Sequence, residues 1–278
     1  MKWLNWTQLQ TGWSKAKWSE IAVLPIIIAF VGIILLVEHP ESPLPEEIVI
    51  WEEPEHIPDF NAYTNVQEKK TAFFEFMLPM IRKANASIME ERTQLKNFLT
   101  RLSEGKGLST NDKEKVATLF KKYNMNVPET ITANDLQKLL VRVDFVPASL
   151  VLAQAANESA WGTSRFAKNA NNFFGIWCYV PGCGLTPGRR DQGKTHEVRK
   201  YDSIQAGVND YLRLINTQRA YRELRQLRAE LRDENNINGI ALAEGLIRYS
   251  ERGHEYVNEV KQMIRYNKLQ RYTKDHSA

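Results

Sequence analysis

The 278 residues suffice for one large or two modest domains, and their charge is unevenly spread. Residues 1–18 carry three lysines and no acid, and residues 38–59 carry eight acids and no lysine or arginine, so the body from residue 60 is more basic than the net +4 of the whole chain. A basic body excludes cationic polymers as partners and leaves anionic ones, with nucleic acid and the bacterial wall both eligible on charge alone.

In chain order, the first element is Ile21 to Val37, a run of 17 residues without a charge. As a helix it spans about 26 Å, near the lower limit for crossing a bilayer. Trp3, Trp6, Trp13 and Trp18 precede it in the manner of an interfacial aromatic belt, with Lys2, Lys15 and Lys17 on the same side. A cleaved signal peptide has a shorter apolar core and a small-residue cleavage site, whereas this run ends in Glu38-His39-Pro40. The expectation is an uncleaved signal-anchor, with residues 1–20 cytoplasmic, 21–37 spanning, and everything later outside. A body outside the membrane meets wall and not nucleic acid. Residues 38–60 hold five of the eleven prolines together with the eight acids. They cannot bury an apolar face and are expected to form an extended linker.

Residues 61–140 read as a helical region packed on a catalytic lobe within one continuous fold. Phe73, Phe76, Met77, Met80 and Ile81 recur at helical spacing, extended by Leu99 and Leu102. Ser109 to Asp112 and Thr132 to Asp135 look like helix starts, preceding Val116, Leu119 and Phe120 in one case and Leu136, Leu139 and Leu140 in the other.

Residues 141–273 carry the chemistry. Pro147 suits a first helical turn, and the run Leu152-Ala153-Gln154-Ala155-Ala156-Asn157-Glu158 ends at Ser159-Ala160-Trp161-Gly162. The glycine is a helix stop. A glutamate held against apolar surface and an indole loses solvation for its charged form, so its pKa rises and it can donate a proton near neutral pH. Asn171-Asn172-Phe173-Phe174-Gly175-Ile176-Trp177 follows. The pattern Q-A-x-x-E-S-x-W-G with this second segment resembles the catalytic helix of lysozyme-like peptidoglycan hydrolases. It is most similar to the N-acetylglucosaminidases of glycoside hydrolase family 73, and among them to the membrane-anchored Bax-type subgroup.

Between residues 175 and 202, five glycines and two prolines mark a loop-rich section containing a small β lobe, with Thr195 to Tyr201 as its strand. Ser203 caps a helix bearing Ile204, Val208, Tyr211, Leu212 and Ile215; a second carries Tyr221 to Leu231, and two more lie near 239–248 and 254–267. The fold class is therefore mostly α with a minor β lobe, as in lysozymes, after an N-terminal transmembrane helix.

The resemblance implies a peptidoglycan hydrolase cutting the GlcNAc-β-1,4-MurNAc bond. Glu158 would be the general acid, and Trp161, Asn172, Phe174 and Gly175 would line the substrate cleft. For the aromatic residues ordinary core is the competing reading. Family members have two late tyrosines, the second near the acid. Tyr249 and Tyr256 match in kind, with one extra residue between them. The second catalytic group stays open among Glu197, Asp191 and the substrate's own N-acetyl group. Glu197 is preferred as base because a strand holds a carboxylate more firmly than the loop at Asp191. Cys178 and Cys183 flank Pro181-Gly182, a turn pair, and outside the membrane a disulfide is favoured over free thiols or a zinc site with His196 and His254. No metal or cofactor is expected, and no oligomeric state can be read from these residues. Two rivals remain: a lytic transglycosylase that closes a 1,6-anhydro ring, and a non-catalytic wall-binding or regulatory protein.

Overall fold

A computed structural model describes residues 53–188, 193 and 195–273. The stretch 1–20 expected to be cytoplasmic, the expected span 21–37, most of the expected linker and Asp191 lie outside the described residues. Among the described residues no helix is long and apolar enough to cross a membrane.

The described chain is mostly helical. Helix α1 (Val66–Ser103) starts where the Asn65 side chain accepts from the Gln67 and Glu68 amides. Its Phe73, Met77, Met80 and Ile81 are fully buried, as their spacing requires. Helices α2 (Thr110–Lys122) and α3 (Ala133–Arg142) both open with reciprocal capping boxes, Ser109 with Asp112 and Thr132 with Asp135. Helix α4 (Ala148–Glu158) is the axis of the fold. Every residue from Ala148 to Ala156 is buried, because α1, α8 (Gly239–Leu242), α9 (His254–Tyr266) and a 3₁₀ turn at Leu269–Tyr272 pack around it. A helix surrounded in this way can have no polar face, which is what its alanine-rich sequence encodes.

Helix α5 (Arg165–Ala170) leads into the β lobe. Strands β1 (Trp177–Cys178), β2 (Gly184–Leu185) and β3 (Glu197–Arg199) form an antiparallel sheet in the order β1-β3-β2, with Trp177 and Leu185 both opposite Val198. Only the centre of the expected Thr195–Tyr201 strand is paired. Helices α6 (Ile204–Thr217) and α7 (Arg222–Asp233) follow, α6 capped by Ser203. The helix expected near 239–248 is α only to Leu242 and tightens into a 3₁₀ turn, Ala243–Leu246. There Gly245 lies against the backbone of Leu224, where any Cβ would clash.

The loop between α3 and α4 is held by arginines. Arg228 on α7 is fully buried, and it donates to the carbonyls of Val141, Arg142, Asp144 and Phe145 and to Asn216 Oδ1 at 2.7 to 3.4 Å. The Asp144 carboxylate pairs with Arg232 and, at 3.4 Å, with Arg92. Arg92 also donates to the Leu140 and Val143 carbonyls. This short loop thus has its polar groups satisfied from α1 and α7 at once.

The linker ends earlier than its composition implies. Phe60 is fully buried and packs edge-on against Phe73 and Phe76. Glu53 accepts from the Gln205 amide in the first turn of α6, and Asp59 pairs with Lys168 at 3.1 Å. One aromatic residue with an apolar seat outweighs the surrounding acids, whose partners lie on the folded body.

Candidate active site

Glu158 is the last residue of α4, at the point where that helix leaves the core. Beyond it the chain reverses through three consecutive left-handed residues, Ala160, Trp161 and Gly162, at φ of 50°, 61° and 74°. For alanine and tryptophan this conformation is costly and must be imposed by the surroundings. The Ser159 hydroxyl donates to the Ala155 carbonyl at 2.6 Å and accepts from the Gly162 amide at 2.8 Å, and the Trp161 amide reaches the Ala156 carbonyl at 2.8 Å. Glycine is required at 162 because the Phe60 ring occupies the space of a Cβ. This turn fixes the height and direction of the Glu158 side chain.

The Glu158 carboxyl is half-buried. Its pKa is raised above the usual carboxylate value, first by burial and then by the Glu259 charge, against the lowering influence of Tyr256, Arg252 and Asn157. Tyr256 donates to Oε1 at 2.8 Å. Burial pushes the Tyr256 phenol far up, so it stays a neutral donor. Its own oxygen accepts from Gln154 Nε2 at 2.9 Å, and Tyr211 donates to Gln154 Oε1. The direction of this chain is set at each link: with Gln154 donating to it, the Tyr256 hydroxyl aims its proton at Glu158. Oε1 is therefore occupied as an acceptor, and the transferable proton belongs on Oε2. That oxygen is 3.7 Å from the position of a Cβ on Gly175, which stands at φ 63°.

Aromatic rings support this corner. Tyr249 stacks on Tyr256 at 5.3 Å and donates to the Phe174 carbonyl at 2.8 Å, while Phe174 stacks on Tyr211 at 4.0 Å. Glu158, Phe174, Gly175 and Tyr249 share a cleft of about 980 Å³ between the β lobe and α6. Trp177 and His196, stacked at 3.9 Å, form part of its β-lobe wall.

Three expected site residues do other work. Trp161 does not line the cleft; its ring packs on Phe73 and Phe74 of α1, at 5.7 and 5.4 Å, beneath the left-handed turn. Asn172 is buried and ties the loop to the sheet, donating to the Ile176 and Arg199 carbonyls and accepting from the Phe174 and Ile176 amides. Glu197 is on β3, but its carboxylate oxygens accept from the Gly182 and Gly184 amides at 3.0 and 2.8 Å, and it does not line the cleft. A carboxylate already used to close a turn is poorly placed to accept a proton from water. Cys178 and Cys183 are joined in a disulfide across the same turn. Their sulfurs lie within 4.8 Å of a Glu197 oxygen, but with the sulfurs bonded to each other this cluster offers no ligand set for a metal.

The site also uses residues to which the sequence alone assigns no role. Tyr211 and Tyr221 line the cleft and Gln154 lies behind it; all three are buried and read as core or motif positions. Their polar ends, turned toward Glu158 and the cleft, leave no mark in a hydrophobic pattern. Trp177 was named only as the end of a motif.

A family model described as glucosaminidase, mannosyl-glycoprotein endo-beta-N-acetylglucosaminidase, matches residues 133–269. Protein bax of Escherichia coli (strain K12) is 31% identical over 212 residues, which cover 76% of this chain and 74% of that protein. No solved structure matches the chain.

Proposed function

Since the chain belongs to the glucosaminidase family of glycosidases, we propose that it is a peptidoglycan hydrolase, an endo-β-N-acetylglucosaminidase that cuts the GlcNAc-β-1,4-MurNAc bond. The observation that carries this reading is the half-buried Glu158 carboxyl, its pKa raised and Oε1 held by Tyr256, at the wall of a cleft large enough for several sugars. Glu158 delivers its Oε2 proton to the glycosidic oxygen as the bond to C1 breaks, and the leaving sugar departs neutral. Tyr256 and Gln154 keep the carboxyl oriented while its charge develops. The N-acetyl carbonyl of the GlcNAc unit attacks C1 from the opposite face, and water later opens the ring so formed, returning a proton to Glu158.

A lytic transglycosylase shares the same requirement. Glu158, Asp210 and Glu251 are the acids lining the cleft among the described residues, and Asp210 is bound to Arg213 and Tyr201. Both reactions can run on the single carboxyl of Glu158, so the products decide. Digestion of purified peptidoglycan followed by mass analysis of the new ends separates the two. Reducing N-acetylglucosamine ends are expected. 1,6-Anhydro-muramic ends convert the reading to transglycosylase.

We also infer that residues 21–37 anchor the protein in the inner membrane with its catalytic body in the periplasm, on the evidence of the uncharged run and its flanking tryptophans and lysines. The full chain should stay with membranes through an alkaline carbonate wash. Release into the supernatant would remove the anchor.

A further inference from the structure

A second groove of about 450 Å³ adjoins the catalytic cleft, with Asn124 and Thr217 lining both. The groove is cationic. Lys138 and Arg142 come from α3, Arg219 from the turn after α6, and Arg222 and Arg225 from α7, with no acidic side chain among the lining residues. Arg142 and Arg225 are fixed by their backbone contacts. Arg142 Nη1 donates to the carbonyls of Tyr123, Asn124 and Thr217 at 2.8 to 3.2 Å, and Arg225 Nη1 to those of Ile215 and Gln218 at 2.8 and 2.9 Å. Both therefore staple the C-terminal end of α6, whose last carbonyls lack helical partners.

Arg225 is only 3% exposed and forms no ion pair with a carboxylate among the described residues. Burial, and then the charges of Arg142, Arg228 and Arg222, pull its pKa down to about 10. Arg219 and Arg222 are exposed and form no ion pair among the described residues, while Lys138 has Asp135 at 4.0 Å. Arg142 and Arg225 serve the fold through the carbonyls they bind, but no carboxylate among the lining residues offsets the like charges that Lys138, Arg219 and Arg222 add around the hollow. Guanidinium forks match carboxylates in a bidentate manner, so an anion from outside completes the arrangement.

We propose that this groove is an accessory subsite of the catalytic cleft, binding the carboxylates of the peptide stems borne by the glycan strand, so that the protein prefers peptide-bearing over peptide-free strands. The proposal rests on the peptidoglycan reading above. A strand lying in the cleft runs past Asn124 and Thr217, and the anions that enter the groove are then its own side groups. That continuity favours stem carboxylates over a separate anionic polymer or a lipid surface.

The test reads binding, so that the identity of the cut bond does not enter. Protein carrying Glu158→Gln is titrated onto insoluble sacculi, intact or stripped of peptides by an amidase. Intact sacculi should bind about tenfold more tightly, the worth of roughly one good charge-assisted contact. Adding Arg219→Glu and Arg222→Glu should bring the two affinities together. Both positions are exposed, Arg222 at the first residue of α7, where a helix end accepts negative charge, and Arg219 in the turn just before it, so this variant should fold. The same charge change at Lys96 and Lys115, exposed residues outside the groove, should preserve the preference. Equal affinity of the parent for both polymers overturns the proposal. So does a preference that survives the arginine reversal, or one lost equally in the lysine control. If the parent binds neither polymer, the peptidoglycan reading falls and takes the subsite with it.

Discussion

Glu158→Gln should lower turnover by about a hundredfold or more, the range of general acid catalysis, while the protein melts no earlier at neutral pH. The glutamine can still accept from Tyr256, so the hydrogen-bonded chain through Gln154 and Tyr211 persists and only the transferable proton is lost. The stability half of the expectation follows from the raised pKa. Burial makes the folded state hold the proton more tightly than the unfolded chain does. Stability from the neutral carboxyl is then complete below the unfolded carboxylate value and is lost as pH rises through the higher folded one. Glutamine never incurs that loss. The same shift predicts that wild-type turnover declines on the alkaline side as Glu158 ionises. Turnover retained by the variant would assign the acid to another residue.

Arg228→Leu should cost about 3–5 kcal/mol, a large share of the stability of any single domain. The guanidinium is fully buried, and its departure takes a donor from the Val141 and Phe145 carbonyls and from Asn216 Oδ1 where water cannot easily follow, whereas the Asp144 carbonyl keeps Asn216 Nδ2 and the Arg142 carbonyl keeps the Asp144 amide. Asp144 keeps Arg92 and Arg232, so the loss is chiefly of satisfied acceptors and not of ion pairing. Arg228→Lys should retain the charge and part of the loss should be recovered. Urea unfolding with an unchanged slope measures both. A cost for leucine below about 1 kcal/mol would mean that the loop finds other donors.

The elements legible in the sequence were those governed by local rules. The two capping boxes, the buried stripe of α1 and the solvent-excluded α4 each follow from residues a few positions apart, and each forms where its pattern stands. Glu158 and the late tyrosines were legible because they belong to a motif; Tyr249 and Tyr256 stack nearly parallel beside the acid despite their extra spacing. The residues misread were those whose partner lies far along the chain. Trp161 next to Glu158 looks like a cleft residue until α1, some ninety positions earlier, supplies Phe73 and Phe74 beneath it. Glu197 on a strand looks like a well-held base until the Gly182 and Gly184 amides occupy it. Position along the chain identifies a residue's type and its element, but the choice between cleft and support is made by tertiary neighbours.

The seat of Phe60 and the Trp161 ring bear on modularity. A catalytic unit that can be moved between proteins as a cassette must carry its own foundation. Here the span matched by the family model starts at residue 133, whereas the rings under the turn after Glu158 come from residues 60, 73 and 74, and Arg92 secures the loop leading into α4. In this chain the family span is not a transplantable cassette. The helical stretch ahead of it is its floor, and the two halves must be inherited together.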